Sequence, residues 1–220
     1  MDQAHGDEVR RHDARGDPGR SRSAGPGAGA DVWDARHARS GTPGDPHPVV
    51  RAVVGGLRPG RAVDLACGAG RHALLLASAG WSVDAVDLSR GGLDVGRAAP
   101  GGDAVRWHRA EALGWLTGSG RDSSARADLV LDAFAQLPGV VPAAAARLAA
   151  GGHLVVVGHA RRDAGLPGVP RDARLLHDVD ALARAAASAG LEVLRAEDVA
   201  RPHEDGSPRH DAVLLARRPG

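Results

Sequence analysis

Between Ala62 and Ser89 the chain runs AVDLACGAGRHALLLASAGWSVDAVDLS, and few architectures accommodate that pattern. A short apolar strand, Ala62–Ala66, contains the carboxylate Asp64 and runs into a glycine-rich turn. An apolar-faced helix follows over about Arg71–Ala79, with Gly80 placed to stop it at the C′ position. A second apolar strand, Ser82–Val86, ends at another carboxylate, Asp87. A strand, a tight turn, a helix and a strand make a βαβ unit, whose two strands run parallel because the helix carries the chain back.

The same alternation continues downstream. A helix begins after Ser89, a good N-cap, although Gly91, Gly92 and Gly96 weaken it. Further strands are expected at Val105–His108, Asp128–Asp132, His153–Val157, Leu191–Glu197 and Ala212–Ala216. A short helical piece falls within Glu111–Leu116, and helices are expected over Val141–Ala149 and Val179–Ala189. Strands alternating with helices of this length predict an α/β, Rossmann-like, doubly wound sheet of seven strands. The last two strands are joined by the polar loop RPHEDGSPRHD without a helix. They should therefore pair antiparallel in an otherwise mostly parallel sheet. A helix over Val49–Leu57 precedes the first strand, and Gly158–Leu176 reads as an irregular loop rich in Pro and Gly.

Residues 1–31 offer almost nothing to bury and read as a disordered tail. The folded domain is then 32–218. It comprises an N-terminal lid at 32–60, a core at 61–160 and a substrate loop with the C-terminal helix and strand pair at 161–218. Of the 220 residues 43% are apolar, mostly Ala, Val and Leu, with no Lys, Ile, Asn or Tyr. That bias reads as a GC-rich genome, so the abundance of Arg carries little functional weight. A formal charge of +1 with interspersed signs argues against nucleic-acid or membrane partners. Cys67 is the only cysteine, which excludes disulfides within the chain and cysteine-based metal sites, and no metal is expected. With no apolar run of signal-peptide or membrane-spanning length, a cytoplasmic protein is expected.

Gly68-Ala69-Gly70-Arg71-His72-Ala73 fits the weak dinucleotide pattern GxGxxG/A, so an NAD(P)-dependent or flavin oxidoreductase is one reading. Three features count against it. Asp64, four residues before Gly68, would face a pyrophosphate but suits an ammonium group. No Tyr or Lys exists for a proton relay, and an antiparallel C-terminal pair is foreign to the dinucleotide fold. S-adenosylmethionine offers an ammonium, a sulfonium and a ribose diol without phosphate. Asp87 at the strand tip is then placed to accept from the ribose hydroxyls. Each acid also has a structural reading: Asp87 as a carboxylate at a helix N-terminus, Asp64 as a buried Asp satisfied by backbone amides.

The motif DLACGAGRHALLLASAGWSVDAVDLS resembles motif I and the acidic strand of class I S-adenosylmethionine-dependent methyltransferases, on the branch of tellurite-resistance and thiopurine methyltransferase-like proteins. Val32-Trp33-Asp34-Ala35-Arg36-His37 resembles that branch's W-D-x-R-Y segment, with His37 in place of the aromatic residue. Asp128–Asp132 and Gly151–Leu176 resemble its fourth strand, and its fifth strand with the following loop. The resemblance, which spans about Val32 to Arg218, implies S-adenosyl-L-methionine as cofactor. It implies that Asp64 holds the methionine ammonium, and that Ala66, Gly68 and Gly70 let the backbone pass beneath the ligand. Asp87 would bind the ribose, and Leu88 would pack on the adenine. Glu111 and Ala112 would contact the adenine edge, and Asp132 would frame the methionine end. Trp33 and Arg36 would cover the site, although Trp33 also reads as a packing anchor. Ala66 replaces one motif glycine, and Ala69 stands where many relatives carry an acid.

Methyl transfer is an in-line displacement needing mainly alignment and exclusion of water. A thiolate or an oxyanion needs no base, whereas a hydroxyl or amine does, and His159 and His37 are the candidates. Either histidine also reads as an ordinary loop residue, and Cys67 as a packing residue. Asp132-Ala-Phe-Ala-Gln-Leu-Pro138 lacks the paired prolines typical of nucleobase amino-methylation. A small-molecule substrate is expected, with the protein a monomer or homodimer. A non-catalytic domain that binds S-adenosylmethionine stays open as a further alternative.

Overall fold

The computed structural model describes residue 34 and residues 41–119, 125–203 and 206–220. The expected tail, 1–31, and the site candidates Trp33, Arg36 and His37 lie outside the described residues. Elements follow in the order α1 (Pro48–Gly56), β1 (Arg61–Leu65), α2 (Arg71–Ser78), β2 (Ser82–Asp87), α3 (Arg90–Ala98) and β3 (Val105–Arg109). Then come β4 (Ala127–Ala133), α4 (Val140–Arg147), β5 (Leu148–His159), α5 (Val179–Ser188), β6 (Glu192–Arg201) and β7 (Arg209–Arg217). A helical turn, Ala112–Gly114, and a wide turn, Trp115–Ser119, lie between β3 and β4.

The strands form one seven-stranded sheet in the order β3-β2-β1-β4-β5-β7-β6. Pairs from β3 to β5 are parallel, and β7 runs antiparallel to both β5 and β6. The doubly wound, mostly parallel sheet with its antiparallel C-terminal strand is thus as the sequence predicts. Successive connections diverge between β1 and β4, which opens a crevice above their carboxyl ends.

Alternation along the strands divides the interior into two layers. Ala62, Leu129, Leu131, Val155 and Val157 pack with Val50 and Val54 of α1 and Ala73 and Leu76 of α2. Val63, Leu65, Val130, Leu154 and Val156 face Val140, Val141 and Ala144 of α4 and Ala186 of α5. The central strands are buried on both faces, so they read as apolar runs rather than as clean alternation. Each fully buried Leu or Val contributes about 1.5–3 kcal/mol by leaving water.

Local chemistry sets the element ends. Pro48 occupies the first turn of α1, capped by the His47 side chain. Ser89 caps α3, its hydroxyl accepting from the Gly92 amide at 3.0 Å. Three strands extend beyond their sequence-predicted limits. Strand β5 begins at Leu148, because Leu148 pairs with Ala127 before an irregularity that resumes at Leu129 and His153. Strands β6 and β7 lengthen to the Arg201–Arg209 pair. The added residues, among them Asp198-Val-Ala-Arg201 and Arg209-His-Asp211, mix charged with apolar side chains, so hydrophobic patterning does not mark them.

Candidate functional site

Strand β1 delivers Asp64 to the crevice, where its side chain is 1% exposed. The next helix starts at Gly70, which has no side chain to cap it. The main-chain amide of Ala73, in the first turn of α2, favours the charged form of Asp64. The Asp64 Oδ2 atom is buried without a hydrogen-bond partner among the described residues. Burial pushes its carboxyl up to about 7, opposed by the Ala73 amide and Arg71 and reinforced by Asp87 and Asp132.

The turn from β1 to α2 crosses toward β2, with the Cys67 amide bonded to the Val86 carbonyl at 3.1 Å. Ala66, Gly68 and Gly70 all have positive φ, 49°, 56° and 79°. At Gly70 a Cβ would meet the Trp107 ring at 2.2 Å, and at Gly96 one would meet the same ring at 2.4 Å. Trp107 of β3 is thus wedged between the turn and α3, its ring N–H donating to the Gly102 carbonyl at 2.8 Å. Gly96, which sequence reasoning treats only as a helix weakener, is the room Trp107 occupies.

Asp87 at the tip of β2 holds the turn in place. Its Oδ2 accepts from the Gly68 amide and its Oδ1 from the Ser89 amide, both at 2.7 Å. Each oxygen keeps a second lone pair for a ligand hydroxyl. Asp34, from the N-terminal segment, reaches the same place: its Oδ1 accepts from the Ser89 hydroxyl at 2.5 Å and the Gly91 amide at 3.0 Å. Leu88 remains 44% exposed at this lip. The end of β3 is tied in through the Ala110 amide and Asp87 carbonyl, 3.1 Å apart. Glu111 caps the following helical turn, accepting from the amides of Leu113 and Gly114 at 3.0 and 2.5 Å, and Ala112 is buried beside it.

Asp132 ends β4 fully buried, with Oδ1 lacking a hydrogen-bond partner among the described residues. Burial raises its carboxyl to about 7, against hydrogen bonds from the Leu137 and Ala135 amides. In register, Asp64 aligns with Leu131 and Leu65 with Asp132, so the two acids project from opposite faces of the sheet. Beyond Asp132 the loop is tightly wound, with Phe134 at φ 65° and Gln136 at φ 48°.

His159 ends β5 at this carboxyl edge, its ring 5.2 Å from that of Phe134. Sequence reasoning misses the residues around it. His47 lies 5.6 Å from the other side of Phe134, and Arg71 sits over that ring at 5.5 Å. Behind them is Asp211 of β7, 1% exposed, paired with His47 at 3.2 Å and Arg201 at 2.8 Å. The main-chain amide of His47 also donates to His72 Nε2 at 3.1 Å, and burial lowers that imidazole to about 3. Asp211 follows Arg209 and His210 at the polar start of β7 and carries no local motif, so nothing in the sequence marks it.

Cys67 lies within the turn, its thiol pushed up chiefly by burial and then by Asp64 and Asp87. Among the described residues no helix is long and apolar enough to cross a membrane.

Residues 41–95, the stretch from the N-terminal strap through β2 into α3, match the family described as tellurite resistance protein TehB. The fold is similar to the crystal structure of TehB from Haemophilus influenzae, with a TM-score of 0.62 at 16% identity, covering 79% of this chain and 62% of that one. This chain therefore spans less than two thirds of the length of the Haemophilus protein. A TehB-like SAM-dependent methyltransferase from Corynebacterium glutamicum is similar at TM-score 0.55 and 20% identity, covering 87% and 99% of the two chains. A structure solved for the conversion of a disulfide bond into a thioacetal group during echinomycin biosynthesis gives 0.63 and 24%, covering 86% and 92%. No curated protein sequence matches the chain. At these identities the structural likenesses establish the fold.

Proposed function

We propose that this chain, a class I S-adenosylmethionine-dependent methyltransferase of the TehB branch, moves the methyl group to a small-molecule nucleophile: a thiol, an oxyanion or a hydroxyl. The observation that carries this reading is Asp64. Its carboxylate is buried at the start of α2, and its Oδ2 is unpartnered among the described residues. A buried acid with a vacant acceptor fits an ammonium group, which would return it to the ionised form.

The same geometry speaks against a dinucleotide. A pyrophosphate needs the free amides of a helix N-terminus, and here the buried carboxylate of Asp64 stands beside those of α2. Asp87 and Asp132 both stand close enough to raise the Asp64 carboxyl, so a diphosphate would enter a cleft of like charge.

S-adenosylmethionine, when bound, supplies a methyl group on carbon already activated by sulfonium. The residues of the chain hold and align. Asp64 takes the ammonium, and the turn from Ala66 to Gly70 lies beneath the ligand without side chains in its way. Asp87 accepts from the ribose hydroxyls with its spare lone pairs. Leu88 offers an apolar surface to the base, with Glu111 and Ala112 at its edge. Asp132 and Phe134 border the methionine end, and His159 stands next to them. The family resemblance would give Trp33 and Arg36 the role of covering the ligand, with His37 a further candidate base.

Calorimetric titration with S-adenosylhomocysteine tests the reading. Binding is expected, weakened about 10- to 150-fold in Asp87→Ala through loss of a charge-assisted bond of about 1.5–3 kcal/mol. A protein whose melting temperature rises with NAD(P) or flavin, and not with S-adenosylhomocysteine, would sink it. Binding without transfer to any thiol, oxyanion or phenol in a radiolabelled methyl assay would leave a non-catalytic binding domain.

A further inference from the structure

We propose that Asp211 is a positioning residue that fixes His159 as general base for a nucleophile arriving with its proton, a hydroxyl, thiol or amine, rather than as a preformed anion. This deepens the methyltransferase reading above and rests on it. His159 and Asp211 are direct partners across the β5–β7 pair, so the sheet itself sets their approach.

The two oxygens of Asp211 have different surroundings. Oδ2 is hydrogen-bonded to His47 Nε2 at 3.2 Å and ion-paired with Arg201, whose Nε lies 2.8 Å away but outside hydrogen-bonding geometry. Oδ1 is buried with no hydrogen-bond partner among the described residues, and it faces His159 Nδ1 at 3.9 Å. That distance is too long for a hydrogen bond, and a buried carboxylate oxygen left unpaired is costly. The His159 side chain is 23% exposed, whereas that of Asp211 is 1% exposed and held by His47 and Arg201. Closing the gap satisfies Oδ1.

Tautomers follow from the same contacts. His47 Nδ1 accepts from the Val49 amide at 3.3 Å, so its proton sits on Nε2 and points at Asp211. His159 then donates from Nδ1 to Oδ1, which leaves a lone pair on Nε2. Phe134 lies against both rings and is two residues beyond Asp132, which puts that lone pair at the methionine end of the crevice. Arg71, over Phe134, interacts with both Asp64 and Asp211 and so joins the two clusters.

His159 Nε2 takes the proton from the X–H bond while X bonds to the methyl carbon and the carbon–sulfur bond breaks. That bonding pair stays on sulfur. The positive charge initially on sulfonium ends on the imidazolium, beside the Asp211 carboxylate. A preformed anion would make this arrangement unnecessary.

The decisive measurement is ring-nitrogen NMR of the ligand-free protein, with His159→Gln assigning the signal among 11 histidines. The expected result is an Nδ1–H tautomer for His159. In Asp211→Asn the titration midpoint of His159 should fall by at least about half a pH unit, since a facing carboxylate favours the charged ring. Arg201, Asp163 and His177, the other titratable groups beside His159, are unchanged in that variant. An Nε2–H tautomer in the wild-type protein overturns the proposal even if Asp211→Asn fails to fold. An unmoved midpoint in a folded Asp211→Asn does the same.

Activity adds a second readout. Asp211→Asn should slow transfer to phenols and alkyl thiols about 100-fold at neutral pH, and change little for an aryl thiol already ionised there. An equal loss for both classes overturns the proposal. Failure of S-adenosylhomocysteine to bind would instead sink the methyltransferase reading, and the tautomer result would stand apart from it.

Discussion

The main-chain amide of Ala73 favours the charged form of Asp64, so the acid of β1 and the first turn of α2 act on one another. The Asp64 Oδ2 atom nevertheless stays buried without a hydrogen-bond partner among the described residues. Gly70 caps α2 without a side chain, because a side chain there would strike Trp107.

Ligand affinity should depend on the ionisation of Asp64. Its carboxyl titrates at about 7 in the free protein, and an ammonium ligand requires the carboxylate. Binding therefore releases a proton at acid pH. Affinity for S-adenosylhomocysteine should rise by up to about tenfold per pH unit below 7 and level off above it. Asp64→Asn should weaken binding and flatten this rise, as calorimetry between pH 5.5 and 8 will register.

Asp132 should cost the ligand-free protein stability. Its carboxyl is raised to about 7 from an ordinary 3.8, so the folded state binds more protons than the unfolded state between those values. Stability from this group is present at low pH and declines as pH rises through 7. Asp132→Asn should stabilise the free protein by about 1–3 kcal/mol at pH 8, with the gain shrinking toward pH 4. Urea titrations at the two pH values will measure it.

Gly96→Ala should damage the glycine-rich turn after β1 from a distance. The added methyl would lie 2.4 Å from the Trp107 ring and 2.9 Å from the Ala69 carbonyl, so either the wedge or the turn must move. A loss of about 1–3 kcal/mol is expected, with weaker S-adenosylhomocysteine binding. Adding Trp107→Leu should recover part of the loss, and additive costs in the double-mutant cycle would refute the coupling.

Asp84 should anchor β1, β2 and β3 together through charge. It is fully buried in β2 and meets Arg61 at 2.9 Å, Arg106 at 2.8 Å and His108 at 2.9 Å. Those hydrogen bonds and cations hold its carboxyl well below the ordinary range in spite of burial. Its stabilisation is thus present above about pH 4 and lost as pH falls further. Asp84→Ala should cost about 2–4 kcal/mol at pH 7, less than for a fully desolvated cluster because Arg106 is half exposed, and less still at pH 3. Thermal melts at the two pH values will test this.

Much of the half from β1 to β3 was legible in the chain because its signals are local. The βαβ unit, the acids at the ends of β1 and β2, the Ser89 cap and the antiparallel final pair all follow from hydrophobic period, turn glycines and loop length within short windows. Gly91 and Gly96 looked like flaws in a helix. Their neighbours, Asp34 and Trp107, come from other elements, and only those contacts give the glycines a purpose.

The substrate side depends on sheet order, which no local pattern encodes. His47 and Asp211 are 164 positions apart, and the pairing of β5 with β7 brings Asp211 to His159. Hydrogen bonds within a turn or helix are set by the residues that make it. A charge pair between two distant strands exists only after the core has chosen which strands lie side by side. Sequence therefore determined the glycine-rich turn and the class of sheet, and tertiary structure alone decided which acid stands behind which histidine.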